Sequence, residues 1–433
     1  MDSISELPDA LLLKILSLLP TARDVVATMV LSKRWQPLWK MVPKLIYDDD
    51  SSGSFPRFVD RSLLLHEAPI IETLHFKLSQ NSGADIGVWI ITALKRCVRK
   101  LIIKTDWCFN STAPVILPRS LYTGCSMLVK LKIKKVVLVD FTSPISFPSL
   151  KKLSLKYVKY PSDDLVQRLL SSCPVLKSLV VKRRPHDNVT IFTIKVPSLK
   201  SLVLNKTVAE FEDIGIAAGF VIDAPSLERL DILDNYGGGF CVIENEMPNI
   251  VEADVDVAYI HLGNILSSIT SVKRLSLCLS TSEDAYAVGS VFHRLVHLQI
   301  GTCYREWLNL LMCLLRDSPK LQSLELRQMM WVYQPEIWIY SGTTSLDCPS
   351  PDDVVLPARD LDLLGDNLIF ILFRQRAEDE DLDLLGDNFV LPARGTKTFT
   401  NVPGEREKTA GISEGHINRS SFSHRLKGKM VIL

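Results

Sequence analysis

The chain has little net charge. Its 50 Lys and Arg stand against 49 Asp and Glu, a formal balance of +1 over 433 residues. That neutrality excludes the broad basic field of a general nucleic-acid or membrane-surface binder. Its nine cysteines never fall in a C-x-x-C spacing, which argues against a zinc site or a disulfide scaffold and for free thiols in a reducing compartment. No apolar run approaches the ~18 residues of a membrane span. The opening "MDSISELPDALLLKILSLLP" begins acidic, carries Lys14 inside its apolar stretch and lacks a small-residue cleavage site, so it does not read as a secretory signal. The expected location is nucleus or cytoplasm.

Catalytic constellations are missing as well. His293 and His297 are four apart but lack the glutamate of a zincin motif, and they bracket a predicted strand. "YGGGF" has no G-K-S/T after it, and no G-x-S-x-G elbow occurs. The expectation is a non-enzyme with no metal and no cofactor. No second basic stripe interleaved with aromatics accompanies Lys33, Arg34 and Lys40, so nucleic acid is not an expected partner, and Lys14 as the single lysine of the opening apolar stretch argues against a membrane surface.

What is present begins with an oily helix. Pro8 and Asp9 read as a helix start and Pro20 as its end. At 100° per residue, Leu11, Leu12, Leu13, Ile15, Leu16, Leu18 and Leu19 fill an arc of roughly 220°, where an ordinary surface helix needs little more than ~100°. A second helix is predicted from Asp24, as cap, to Leu31. Ser32 can cap a third, with Trp35 and Trp39 on one face. Pro37 obstructs that helix, which therefore starts at Trp35 or kinks. Three short helices cannot bury so much surface alone. The surplus must be covered by the rest of the chain or by another protein.

Residues 7–43, "LPDALLLKILSLLPTARDVVATMVLSKRWQPLWKMVP", resemble the F-box of plant F-box/leucine-rich-repeat proteins. The likeness rests on Leu7-Pro8, Ile15-Leu16, "LSKRW" and Trp39. It implies docking on the Skp-type adaptor of a cullin–RING ubiquitin ligase. By position, the residues it assigns to the adaptor are Leu7, Pro8, Leu12, Ile15, Leu16, Leu19, Pro20, Val26, Leu31, Ser32, Trp35 and Trp39.

The middle of the chain repeats one sentence. "FPSLKKLSLKY", "CPVLKSLVVKR", "VPSLKSLVLNK" and "APSLERLDILD" each set a proline before L-x-x-L-x-L. With four looser copies the first anchors fall at Leu150, Leu176, Leu199, Leu227, Ile250, Val272, Leu295 and Leu321, 22 to 28 residues apart. Weaker copies centre on Leu128, Val98 and Ile71. Period and pattern are those of a leucine-rich repeat. Each L-x-L is a short strand that buries one face only when neighbours stack on it. Intervening segments such as "SDDLVQRLLSSC" read as convex-side helices. On the outward strand positions, early repeats carry Lys132, Lys134, Lys156 and Lys182, and later ones Asp231, Asp254 and Asp256. The concave face therefore runs from basic to acidic, and a dipolar target protein is expected along it.

After "WVYQPEIWIY" the pattern breaks, and no FBD domain, a frequent ending of the resembled family, is recognised. "VLPAR" and "DLDLLGDN" each occur twice, in swapped order. An acidic block over 352–387 precedes a basic one from Arg394. Such composition predicts disorder, with "LIFILF" an aggregation hazard if exposed.

The expected fold class is α/β: a three-helix F-box over 1–46, a linker and helix over 47–69, a solenoid over 70–330 with parallel strands inside and helices outside, and a disordered tail over 331–433. The function this implies is substrate recognition in a Skp–cullin–F-box ubiquitin ligase. A scaffold acting without a cullin, an enzyme using the repeat face, and a non-functional copy remain open alternatives.

Overall fold

An L-x-L strand hides its two apolar side chains only with a like strand beside it, and among the described residues twelve strands meet that need side by side in parallel. In the computed structural model the described residues are 4, 7–49, 54–79, 86–105, 115–140, 143–184, 187–206, 219–234, 239–257, 263–279, 290–301, 307–328, 371–377 and 426–432. The parallel strands of the long sheet are β1 (Lys44–Asp48), β2 (Thr73–Leu78), β3 (Lys100–Thr105), β4 (Lys130–Lys134), β5 (Lys152–Lys156) and β6 (Ser178–Arg183). After an excursion through β7 (Ile191–Lys195), β8 (Ser201–Lys206) resumes it. A further excursion through β9 (Gly219–Asp223) precedes β10 (Arg229–Asp234), and one through β11 (Phe240–Ile243) precedes β12 (Glu252–Val257). β13 (Arg274–Leu279), β14 (His297–Gly301) and β15 (Ser323–Gln328) complete the run.

The register is uniform. Leu101, Leu131, Leu153, Leu179, Leu202 and Leu230 stand side by side in one column. The predicted anchors Leu150, Leu176, Leu199, Leu227, Ile250, Val272 and Leu295 are all fully buried; Leu321, near the end of the run, is half-buried and packs against the same core. The leucine-rich solenoid and its α/β class are therefore as the repeats predict.

Helices cover the convex side: α4 (Phe55–Leu65), α5 (Ile86–Lys95), α6 (Ser120–Thr123), α7 (Asp163–Ser171), α8 (Gly263–Ser268) and α9 (Trp307–Arg316). Ser162 caps α7 by accepting from the Leu165 amide. Not every repeat has a helix, however. Between α7 and α8 the convex layer is a three-stranded parallel sheet, β7–β9–β11. The segments "IFTIK", "GFVID" and "FCVI" are β-branched and aromatic, and too short for a helix between repeat prolines. Its two edges meet α7 and α8, so neither is left open. The Asp163 carboxylate accepts the amides of Thr190 and Ile191 at 2.9 and 3.1 Å, tying α7 to β7.

The N-terminal bundle comprises α1 (Asp9–Leu16), α2 (Ala22–Ala27) with a 3₁₀ turn over Thr28–Val30, and α3 (Trp35–Leu38) with a second 3₁₀ turn over Trp39–Met41. The second helix starts earlier than Asp24. Thr21 is its cap, and Asp24 closes a capping box by accepting the Thr21 amide at 3.0 Å. The third starts at Trp35, where Pro37 sits in the first turn and costs no backbone bond.

β1, "KLIYD", is a strand that the leucine pattern did not reveal. Its free edge is met by α2, and Ala22 belongs to the solenoid's core together with Leu45, Tyr47, Phe55 and Phe76. At the other end, β17 (Leu426–Ile432) pairs antiparallel with β15, and β16 (Ile371–Ala377) with β17. Within the tail expected to be disordered, these two strands are the described segments; the rest of it, including Trp331 and Pro335, lies outside the described residues. Among the described residues no helix is long and apolar enough to cross a membrane.

Candidate functional site

The bundle has a core of its own: Leu12, Leu16, Val25, Trp35, Leu38, Trp39 and Val42. This corrects four assignments. Leu12, Leu16, Trp35 and Trp39 do not offer their side chains to a partner. Trp35 and Trp39 retain 4% and 5% of their surface, because helices this short can enclose a core only around large rings. Trp39 and Val26 also line the groove between the bundle and α4, beside Arg57, Phe58 and Arg61, so both look toward this chain. Leu7 and Leu19 are half-buried against the bundle core, and Ser32 is half-buried.

Of the assigned residues, Pro8, Ile15, Pro20 and Leu31 are exposed. Three apolar residues not assigned join them. Leu11 lies one turn before Ile15 on α1, Leu18 follows in the turn that continues the helix, and Val30 precedes Leu31. Leu18, Val30 and Leu31 expose 77%, 87% and 59% of their surface. The 220° arc already contained the signal for Leu11 and Leu18: seven apolar positions are more than the bundle can enclose. An ion pair braces this corner. Arg34 Nη2 lies 2.7 Å from Asp9 Oδ1 and donates to the Leu7 carbonyl at 2.6 Å.

The bundle is fixed to the first repeat. The Lys40 carbonyl accepts the amides of Glu67 and Ala68 at 2.8 and 3.1 Å, and Lys40 Nζ lies 2.8 Å from Glu67 Oε1. The buried His66 ring bonds the Val42 carbonyl through Nε2 at 2.9 Å. Burial holds the His66 pKa below its ordinary value, with the Arg96 charge acting the same way, and because the carbonyl can only accept, Nε2 carries a proton.

On the concave face the expected target-facing side chains divide. Lys132, Lys134, Lys156, Lys182, Asp231 and Asp254 are half-buried at outward strand positions. Asp256 is corrected: it is buried, set in register between Leu233 and Cys278. Burial, and then the neighbouring Asp254, push the Asp231 carboxyl above its ordinary pKa. His297 opens β14 and bonds Ser323, a place in the strand ladder. Buried Cys125, Cys173 and Cys241 have thiols pushed up to about 12, 11 and 12, chiefly by desolvation, the opposite of an activated nucleophile. Among the described residues no group of three or more His, Cys, Asp or Glu is placed to hold a metal ion.

Comparison with known proteins agrees with this architecture. The F-box domain family matches residues 4–47. The family described as "FBD-associated F-box protein At5g56370, LRR repeats" matches residues 86–253. "Probable FBD-associated F-box protein At1g32375" of Arabidopsis thaliana is 60% identical over 332 residues, covering 75% of this chain and 78% of the relative. The same plant's "F-box/FBD/LRR-repeat protein At5g56420" is 49% identical over 334 residues, covering 76% and 77%. Its "FBD-associated F-box protein At5g56370" is 46% identical over 336 residues, covering 76% and 75%. With an F-box bundle set against a leucine-rich solenoid, and relatives of this likeness over three quarters of its length, the chain belongs to the plant family of FBD-associated F-box/leucine-rich-repeat proteins.

Proposed function

We propose that this F-box protein is the substrate receptor of a Skp–cullin–F-box ubiquitin ligase, working in the nucleus or cytoplasm. The F-box supports binding to a Skp-type adaptor in general. The observation that carries the reading is the apolar surface left outside the bundle's core at Leu11, Ile15, Leu18, Val30 and Leu31. Such side chains seal well against a partner and poorly against water. The adaptor would bring a cullin with it. This chain, for which no catalytic group is proposed, would contribute proximity and orientation, holding a target on its concave face while other subunits transfer ubiquitin.

The test is affinity purification of the full chain from plant cells, with and without Leu18→Asp. Adaptor and cullin should both co-purify with the parent chain and both disappear with the variant. Recovery of adaptor without cullin would favour the scaffold alternative. Undiminished adaptor with Leu18→Asp would remove the exposed leucines from the interface.

A further inference from the structure

Each of the strands β2 to β6 points three side chains outward, and register sets them in rows across the sheet. The third row reads Lys77, Lys104, Lys134, Lys156 and Lys182 on five successive strands, β2 to β6. Lys132 stands in the row beside it, and the first row adds Lys100, Lys130 and Lys152. On β3 to β6 no outward position is acidic. Lys77 is paired with Asp48 at 2.5 Å. Among the described residues no carboxylate pairs with Lys132, Lys134, Lys156 or Lys182.

Neighbouring groups register this field. Lys156 and Lys130 both have lowered pKa values, first through partial burial and then through the surrounding lysines. His75, outward on β2, is held down to about 4, first by burial and then by Lys104 and Lys77, with Asp48 opposing and Lys132 adding. Its Nε2 is buried without a hydrogen-bond partner. Two strands past Lys182 the sign reverses in the adjoining row, the row of Lys132, while the ladder's own row continues through Asn205 and Leu233. Asp231 and Asp254 are register neighbours on β10 and β12.

From this geometry we infer that the lysine ladder of β2–β6 binds a short acidic polypeptide segment laid across the strands, its anionic run ending where Asp231 and Asp254 begin. Five rungs at ~4.8 Å span about 19 Å, the length of about six extended residues at ~3.3 Å each. A longer polyanion such as a nucleic-acid strand would run on into the two aspartates. In the row beside the ladder Ile102, Ser154 and Val180 offer no ring for bases to stack on, and His75 on β2 is the one ring of that row over β2 to β6. That the segment belongs to a ligase target rests on the function proposed above; the anion site itself stands on the ladder alone.

The experiment uses the full chain and a labelled decapeptide: six aspartates, two glycines, two arginines. Binding should weaken as salt is raised. Lys156→Gln with Lys182→Gln should lower affinity at least tenfold while the thermal melt and adaptor co-purification stay unchanged. A peptide of ten aspartates should bind less well, and Asp254→Asn should narrow that difference. Phosphoserine in place of the aspartates shows which anion is preferred; either preference supports the site. Affinity indifferent to the two substitutions, no binding of any acidic peptide, or equal binding of single-stranded DNA of matched charge would overturn it. Because adaptor recovery is scored separately, loss of the adaptor with intact peptide binding would defeat the proposed function and leave the ladder standing.

Discussion

The guanidinium of Arg23, on the second F-box helix, lies 5.4 Å from the centre of the Phe58 ring on α4, the first convex helix. The same side chain donates to Ser54 Oγ at 3.2 Å. With Ala22 inside the solenoid's core and the Lys40 carbonyl holding two amides beyond α4, the contact makes the F-box an end cap of the repeat array. A receptor needs that rigidity, because the adaptor sets where the ligase reaches and the concave face sets where the target sits.

Arg23→Ala should therefore leave the bundle folded and adaptor affinity unchanged while loosening the joint. The cation–π contact is worth about 0.5–1 kcal/mol at a site of this exposure. Spin labels on α1 and α5 should report a broader distance distribution in the variant, and ubiquitination of a bound target should slow without loss of target binding.

Leu16 and Leu18 are two residues apart and opposite in consequence. Leu16 is 1% exposed in the bundle core, so Leu16→Asp buries an unpaired carboxylate and should unfold the F-box, at several kcal/mol unless the acid protonates. Leu18 is outside that core, and Leu18→Asp should change stability by no more than about 0.5 kcal/mol. Circular dichroism and the melt of each variant, read beside adaptor recovery, separate a lost fold from a lost interface.

Much of this was legible beforehand, for a physical reason. A stacked repeat must place a leucine wherever the previous repeat placed one, so the anchors from Leu150 to Leu295 could be read by period alone. The oily helix was legible as an excess of apolar arc. Which leucines formed the excess was not: a helical wheel shows that seven positions are apolar, and only the docking of α3 shows that Leu12 and Leu16 turn inward and Leu11, Ile15 and Leu18 do not. The tryptophans misled because a large ring near a docking surface suits an anchor and a small core equally well. β7, β9 and β11 were missed because a convex layer of helices is the default for such repeats, although the β-branched runs before Val196-Pro197 and Ala224-Pro225 were visible in "IFTIKVPS" and "GFVIDAPS". The Asp256 assignment failed because strand alternation gives direction and not exposure.

Stability should fall as the medium is acidified from neutrality. His66 and His75 both have folded pKa values below the ordinary ~6.5, His75 at about 4. Below ~6.5 the unfolded chain takes up protons that the folded chain refuses, so their contribution is fully present above that pH and is lost as the pH falls, for His75 on the way down to about 4. The melting midpoint should be lower at pH 5 than at pH 7.5. His75→Gln should flatten the dependence and leave the pH 7.5 value nearly unchanged. An equal slope in parent and variant would show that His75 already titrates normally in the fold.

The buried pair of Arg183 and Asp187 should be the costliest polar site in the array to break. Arg183 Nε lies 2.8 Å from Asp187 Oδ2 and Nη2 lies 2.9 Å from Oδ1, a two-pronged contact with both side chains nearly inaccessible. The guanidinium stands 5.7 and 5.5 Å from the ring centres of Phe192 and Phe220, and Nη1 donates to the Gly219 carbonyl at 3.3 Å. One side chain thereby joins β6 of the concave sheet to β7 and β9 of the convex one. Asp187→Leu leaves a guanidinium buried without its counter-charge, a change that costs about 3–5 kcal/mol at sites of this kind. Replacing both partners by apolar residues, Arg183→Met with Asp187→Leu, removes the charge along with its counter-charge and should recover most of that loss. Because repeat arrays transmit stability between neighbours, the single variant should lower the denaturation midpoint and speed amide exchange from β6 through β9 first, with the F-box bundle following later. A double variant no more stable than the single one would show that the cation's bonds to the Val189 and Gly219 carbonyls, and not its carboxylate, hold the two sheets together.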